Sequence, residues 1–327
     1  GAIMTIVTSG AVTVTVDSSS PTEKWYAATP VPPVTLGVFR LTGTNEQMAL
    51  TDFAVKLSNT SSSSPAGLDS IGLYSGSTLL AEKTSPTFGG NFSTTNTEAF
   101  TLPTEGTGSF IVPVNGYKLL TVKGKLANIG TGNPGTAGHI IAVATTSLAT
   151  DYKLSGSESG TTISPTASTA GASAGVRTFK SVPTVTKLTS SGTLVNGTNV
   201  LYKFSVGADS NGDVSFYKMT FTVSTSTATA TAFKLTETTT GKVVKSSATA
   251  DANGIVEIIV ASGDYGATEA TIPAGSTYTY ELTATVTKSS AADSSTVTTQ
   301  MEGDAAYASL AAHMGTTTQV DAVGNAN

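Results

Sequence analysis

Ala11-Val12-Thr13-Val14-Thr15-Val16 sets Val12, Val14 and Val16 on one side of an extended chain and Ala11, Thr13 and Thr15 on the other. A period of two is the mark of a strand with one face buried and one face wet. Valine and threonine are β-branched, so the same stretch packs well on a pleated surface and loses rotamer freedom in a helix. The alternation returns at Leu50–Leu57, Lys118–Leu126, Phe216–Val223, Gly254–Val260 and Tyr278–Val286. Between these runs lie the clusters Ser58–Gly67, Phe88–Asn91, Gly130–Gly138, Gly207–Gly212 and Asp251–Gly254, rich in Gly, Asn, Asp and Ser. Such residues supply positive φ or local side-chain hydrogen bonds, so they read as turns. Many short strands punctuated in this way predict an all-β chain of sandwich, immunoglobulin-like architecture.

The chain has 327 residues, long enough for two such domains. An internal repeat agrees. LGVFRLTGTNEQMALTDFAVKL (Leu36–Leu57) can be laid over LYKFSVGADSNGDVSFYKMTFTV (Leu201–Val223), and FIVPVNGYKLLTVKGKL (Phe110–Leu126) over ATIPAGSTYTYELTATV (Ala270–Val286), with Pro113 on Pro273. Two matches in the same order predict two copies of one domain, at 11–160 and 176–304. The Ser/Thr/Ala/Gly tract at 161–175 reads as the linker between them. Residues 1–10 form an extension ahead of the first copy. Residues 305–327 form a tail, in which Asp304 is placed to cap a short helix over Ala305–Met314, stopped by Gly315.

Charge and composition exclude several functions. The net charge is −5 and the basic residues are scattered singly, which argues against a nucleic-acid partner. No run approaches the ~18 consecutive apolar residues of a membrane helix. With no cysteine there is neither a disulfide framework nor a thiolate metal site. The start at Gly1 lacks a basic, then apolar, leader, so we expect a mature chain. The low share of charged residues, 12%, together with abundant Thr, Ser, Gly and Ala, points to an extracellular, cell-surface setting.

Chemistry-bearing patterns are few, and each has a structural reading beside the functional one. Gly130–Gly135 spells GxGxxG, but a strand at His139–Val143 follows where a dinucleotide site needs a helix. Ser215–Lys218 spells SxxK inside an expected strand, whereas an acyl-enzyme serine needs companion motifs. Asp209, Asn211 and Asp213 offer oxygens at alternate positions, as a calcium loop opens, yet position twelve is Thr220 rather than a closing Glu. The same cluster is what a polar hairpin turn requires, and calcium stays an alternative at these three residues. The matching turn in the first copy, Gly43–Gln47, carries only Glu46. The two histidines, His139 and His313, fall in different elements and complete no constellation. Trp25 and Tyr26 would make a sugar-binding platform only if exposed together. Asn59, Asn91 and Asn196 begin glycosylation sequons, so a glycan is a further partner to consider.

The segments GVFRLTGTNEQMALTDFAVKL (Gly37–Leu57), LTVKGKLANIGTGNPGTAGHIIAV (Leu120–Val143) and GVRTFKSVPTV (Gly175–Val185) resemble a family of repeat-built β-sandwich surface-layer and surface-fibre proteins of uncultivated ultrasmall bacteria. The resemblance implies tandem β-sandwich domains behind a signal peptide, and it transfers no functional residue. The residues themselves point to a structural protein rather than an enzyme. Ile3, Met4, Ile6 and Val7 form an apolar strand with no counterpart in the second copy. A free strand of that kind is satisfied by adding to the sheet edge of a neighbour, or by docking on an edge of its own domain. The expectation is a self-assembling surface filament or surface layer, its partners copies of itself. A cell-surface adhesin or carbohydrate-binding module is the alternative.

Overall fold

The computed structural model describes residues 9–302 except 23, 30–31, 59–64, 90–95, 147–150, 166, 169–170, 191, 217, 261–269 and 290–293. The strand expected at Ile3–Val7 and the helix expected at Ala305–Met314 lie outside the described residues. The chain is all-β and divides into two compact units, Gly1–Lys180 and Ser181–Asn327.

Unit 1 contains β1 (Ala11–Val16), β2 (Lys24–Ala27), β3 (Val34–Thr44), β4 (Met48–Ser58), β5 (Leu68–Ser75), β6 (Thr78–Thr84) and β7 (Thr97–Thr101). It continues with β8 (Ile111–Val112), β9 (Gly116–Leu126), β10 (Ile140–Ala144), β11 (Tyr152–Gly156), β12 (Thr162–Ile163), β13 (Ala167–Ser168) and β14 (Val176–Phe179). One sheet runs β13-β1-β3-β9-β5-β6, and the other is built around β4, in the order β12-β11-β4-β10-β14-β2 with β7 and β8 also on β4. The opening sextet behaves as its pattern demands: Val12 and Val14 are buried while Thr13 and Thr15 lie half-exposed. Phe39 of one sheet meets Phe53 of the other at 5.6 Å between ring centroids, and Phe53 meets Tyr152 at 5.0 Å. Gly124 lies where the core is closely packed, because a Cβ there would fall 2.6 Å from Leu68 Cδ2 and 2.8 Å from Leu36 Cδ1.

Unit 2 contains β15 (Thr184–Leu188), β16 (Gly197–Gly207), β17 (Val214–Ser215), β18 (Lys218–Ser226) and β19 (Ala228–Glu237). The remainder are β20 (Lys242–Ala248), β21 (Ile255–Ile259), β22 (Thr271–Ile272), β23 (Thr277–Lys288) and β24 (Thr296–Met301). Its larger sheet, β15-β16-β23-β19-β20, repeats the order β1-β3-β9-β5-β6 of unit 1. β18 stands for β4, flanked by β21 and β24 where β4 has β7 and β10. Phe204, stacked on Tyr280 at 5.3 Å, occupies the place of Phe39.

The tract expected as a linker is built into unit 1. Thr162–Ile163 pairs with β11, Ala167–Ser168 with β1, and Val176–Phe179 with both β10 and β2. The boundary falls at Lys180/Ser181 rather than within 161–175. Ile163 and Val176 bury their side chains in the core of unit 1, and much of the rest of the tract is held by ladder bonds. Ser173 N donates to Val143 O and Ser173 Oγ accepts from Val143 N, while Gly175 at φ 80° brings its backbone against Ile141 and Ala142. A ladder of this kind needs no apolar payload, so composition reads it as linker.

Glu46, in the β3–β4 turn, ties three segments together. Its Oε2 accepts from Ser159 N at 2.9 Å and Glu158 N at 3.1 Å, and its Oε1 from Ser159 Oγ at 2.8 Å and Gly10 N at 2.7 Å. The backbone and hydroxyl bonds from Ser159 lead in holding the carboxyl at about 2, against an ordinary 4.5. Asp17 is likewise lowered to about 2, first by the hydroxyl and N–H of Ser19 and then by Arg40. A depressed carboxylate stabilises the fold fully above its unfolded value, and that contribution disappears as pH falls toward its folded value. We therefore expect unit 1, followed through its single tryptophan Trp25, to lose stability between about pH 4.5 and about pH 2. Glu46→Gln should be less stable at neutral pH and show a flatter acid limb in urea melts read by fluorescence.

Candidate functional site

A strand at the edge of a sheet presents unpaired N–H and C=O groups and is a template for another strand. Which edges are covered is therefore the chemistry of a protein built only of sheets. In unit 1 the outer side of β1 is met by β13, in parallel, through Thr13–Ala167 and Val14–Ser168. Both sides of β4 are occupied: β8 and β7 on one, β11 and β10 on the other. In unit 2, among the described residues, β15 pairs only with β16 and has nothing on its outer side. β18 is covered by β24 from Phe221 to Ser226, and the same side of Val214–Met219 carries no strand among the described residues.

The second feature is the outward face of the larger sheet in unit 1. Tyr117 pairs with Thr42 and is 53% exposed, and Tyr74 pairs with Thr121 on the same face. At a rise of ~3.4 Å per residue and a strand spacing of ~4.8 Å, the two positions lie about 14 Å apart. Arg40 Cζ stands 4.1 Å over the Tyr117 ring and is fixed by Asp17 at 2.8 Å. Lys123 Nζ stands 4.6 Å over the Tyr74 ring, and Lys125 bridges Glu82 at 2.8 Å. Each of the two rings thus has a cation over its face, and the one over Tyr117 is fixed by an ion pair.

The residues singled out from sequence fall elsewhere. Trp25 packs on Phe179 at 5.1 Å, and its neighbour Tyr26 packs against the core from the other side of β2, so the two form no joint platform. Asp209 Oδ1 accepts from Asn211 N at 3.0 Å within the turn, and Asp213 Oδ1 accepts from Ala274 N at 2.9 Å, tying this turn to the one before β23. Among the described residues no three His, Cys, Asp or Glu side chains gather as a metal cluster. The Gly130–Gly135 loop leads into β10 through an isolated bridge, Ile129–Gly135. Ser215 Oγ bonds Thr271 Oγ1 at 2.8 Å while Lys218 pairs with Glu257 at 2.5 Å, so the two ends of the SxxK pattern are engaged separately. His139 lies in the approach to β10, and His313 is outside the described residues. A shallow groove between β20 and β21 holds Asp251 and Glu257. Asp251 is engaged by the N–H groups of Asn253 and Ile255, both at 2.8 Å, and Glu257 by Lys218. Sequence reasoning missed Glu46 and Tyr117: the first looked like a turn residue, and the second like one strand position among many.

No family model matches the chain, and no curated protein matches it. Several solved structures overlap it weakly, among them these three. The tetra-tandem repeat in the extending region of a large adhesion protein is 14% identical at a TM-score of 0.18, over 90% of this chain and 48% of that one. The BSP domain of a biofilm-associated protein is 10% identical at 0.23, over 85% and 49%. The CupB6 tip adhesin from Pseudomonas aeruginosa is 9% identical at 0.22, over 89% and 94%. The chain spans about half the length of the first two. At these values no property of those proteins passes to this one.

The Asp209 turn gives a direct test of calcium. Asp209→Ala removes the acceptor of Asn211 N and should cost about 1 kcal/mol in a denaturant melt, with or without a chelator. A loss seen only when calcium is present would assign the ion to Asp209, Asn211 and Asp213.

Proposed function

We propose that the chain is an extracellular structural subunit of a self-assembling surface filament or layer. In this reading Ile3–Val7 of one copy adds as a strand to the outer side of β15 in the next. One observation carries it: β1 is covered by β13, whereas its equivalent β15 has no outer neighbour among the described residues. Thr184, Thr186 and Lys187 of β15 are exposed. Head-to-tail addition of one patch to a different patch is heterologous and propagates unless the rotation closes a ring. The low charge of the chain favours repeated contact between like surfaces. Cell-surface attachment through a glycan is the second reading, favoured by the Tyr74 and Tyr117 face.

Deleting residues 1–8 should abolish filaments in negative-stain electron microscopy while both units keep their β-rich circular dichroism. An excess of a peptide spanning residues 1–10 should cap growth of the intact chain. Filaments at normal yield after the deletion would overturn strand addition. Glycan-array binding that disappears in Tyr74→Ala and Tyr117→Ala would favour attachment instead.

A further inference from the structure

Among the described residues the exposed large apolar side chains are Leu79, Val114, Tyr117, Val195 and Val200. Val114 and Tyr117 share one pole of unit 1. Ala11 pairs with Thr44, Gly43 with Gly116 and Met48 with Val112, so β1, β4 and β9 begin at this pole and β3 ends there. Val114 stands in the turn between β8 and β9, and Tyr117 follows on the outward face of β9. Val195 and Val200 share one pole of unit 2. Gly197 pairs with Val286 and Ala228 with Lys288, so β16 and β19 begin at that pole and β23 ends there. Val195 precedes β16 in its turn, and Val200 lies on β16 opposite Thr283.

Neither pole is the one through which the chain passes between units. Ile141 pairs with Val176 and Ile140 with Arg177, so β14 runs out of unit 1 past Ser58, the end of β4 remote from Met48. The chain enters unit 2 at Thr184, opposite Gly207, where Ser181 Oγ accepts from Asp209 N at 3.1 Å.

Both apolar turns are held from within. Val195 N donates to Asn199 Oδ1 at 3.0 Å and Asn199 Nδ2 donates to Val195 O at 2.7 Å, so one side-chain amide fixes both backbone groups of an exposed valine. Asn196 Oδ1 accepts from Lys288 N at 2.7 Å and ties the turn to the end of β23. In unit 1, Pro113 leads into Val114 with its φ fixed by the ring. Asn115, at φ 49°, accepts from Asn45 N at 3.3 Å. An apolar group mounted on a rigid turn loses little freedom on contact, which is what makes it useful to a partner. The charges at the two poles are opposite. Glu158 is exposed at the first, where its N–H bonds Glu46, and Lys288 is half-exposed at the second. Arg40, beside Tyr117, is already paired with Asp17.

We propose that the Val114–Tyr117 pole of one copy seats on the Val195–Val200 pole of unit 2 in a second copy, with Glu158 facing Lys288. The proposal rests on the self-assembly reading and gives it a contact that needs no added strand. Two unlike patches meet, so the contact is heterologous and gives successive copies one direction. It is small, of the class that is weak alone, and it sets which end of one copy follows which end of the next.

The chain contains no cysteine, so Val114→Cys and Val195→Cys can be made in separate chains and mixed. Under mild oxidation the mixture should give disulfide dimer at ~10-fold or more the yield of either variant alone, the mark of specific pairing over random collision. Adding Glu158→Lys to the first chain should lower that yield several-fold, and adding Lys288→Glu to the second should restore it. All four positions lie on the surface, so each variant should keep the circular dichroism of the parent. Equal yields from the mixture and from single variants would overturn the proposal, as would a charge reversal without effect. A doubly substituted chain that closes only on itself would overturn contact between copies. Filaments of the unsubstituted chain without preferred mixed dimer would overturn this contact and leave self-assembly standing, whereas absence of both would overturn both.

Discussion

A strand inside a sheet must pair its backbone N–H and C=O groups on both sides, and no choice of side chain relieves it of that need. β4 shows the constraint most plainly. It is the spine of the second sheet of unit 1, and four short strands drawn from distant parts of the sequence are needed to cover it. The apolar pattern of β4 tells which face is buried. Which segments lie alongside it is decided by chain geometry, and that in turn fixes where a partner could add.

The core and the ladders therefore carry different information. Val12 and Val14 sit at alternate positions of a run of β-branched residues, so their burial was legible. The repeat was legible for the same reason, because Leu36–Leu57 and Leu201–Val223 share their inward positions. The tract 161–179 was not. Its Ser, Thr, Ala and Gly residues contribute ladder bonds through backbone atoms that every residue possesses, and composition cannot distinguish such a ladder from a tether. The strand reading of AVTVTV rests on alternating side chains, whereas 161–175 offers too few apolar residues for such a pattern to form.

Glu46 illustrates a second limit. Nothing local marks a glutamate in a hairpin turn as an anchor, since its principal partners, Glu158 and Ser159, are more than a hundred residues away. Its counterpart region in unit 2, Asp209–Asp213, bonds within itself through Asn211 N and also to the turn at Ala274–Gly275. The same turn thus reaches different segments in the two copies. The tyrosines of the outward face were equally hidden, because which face of β9 and β5 meets solvent depends on the register of both strands.

The ends of unit 1 have one more property in common. β1 lies parallel to β13, and β2 lies parallel to β14, so the first strands of the unit run beside the last ones in the same direction. Pulling the unit from its two chain ends would slide these neighbours lengthwise against each other. Their cross-strand bonds would then be loaded together in shear rather than opened one at a time like a zipper. The parallel pairing places the bonds that would bear such tension at the two points where the strain enters.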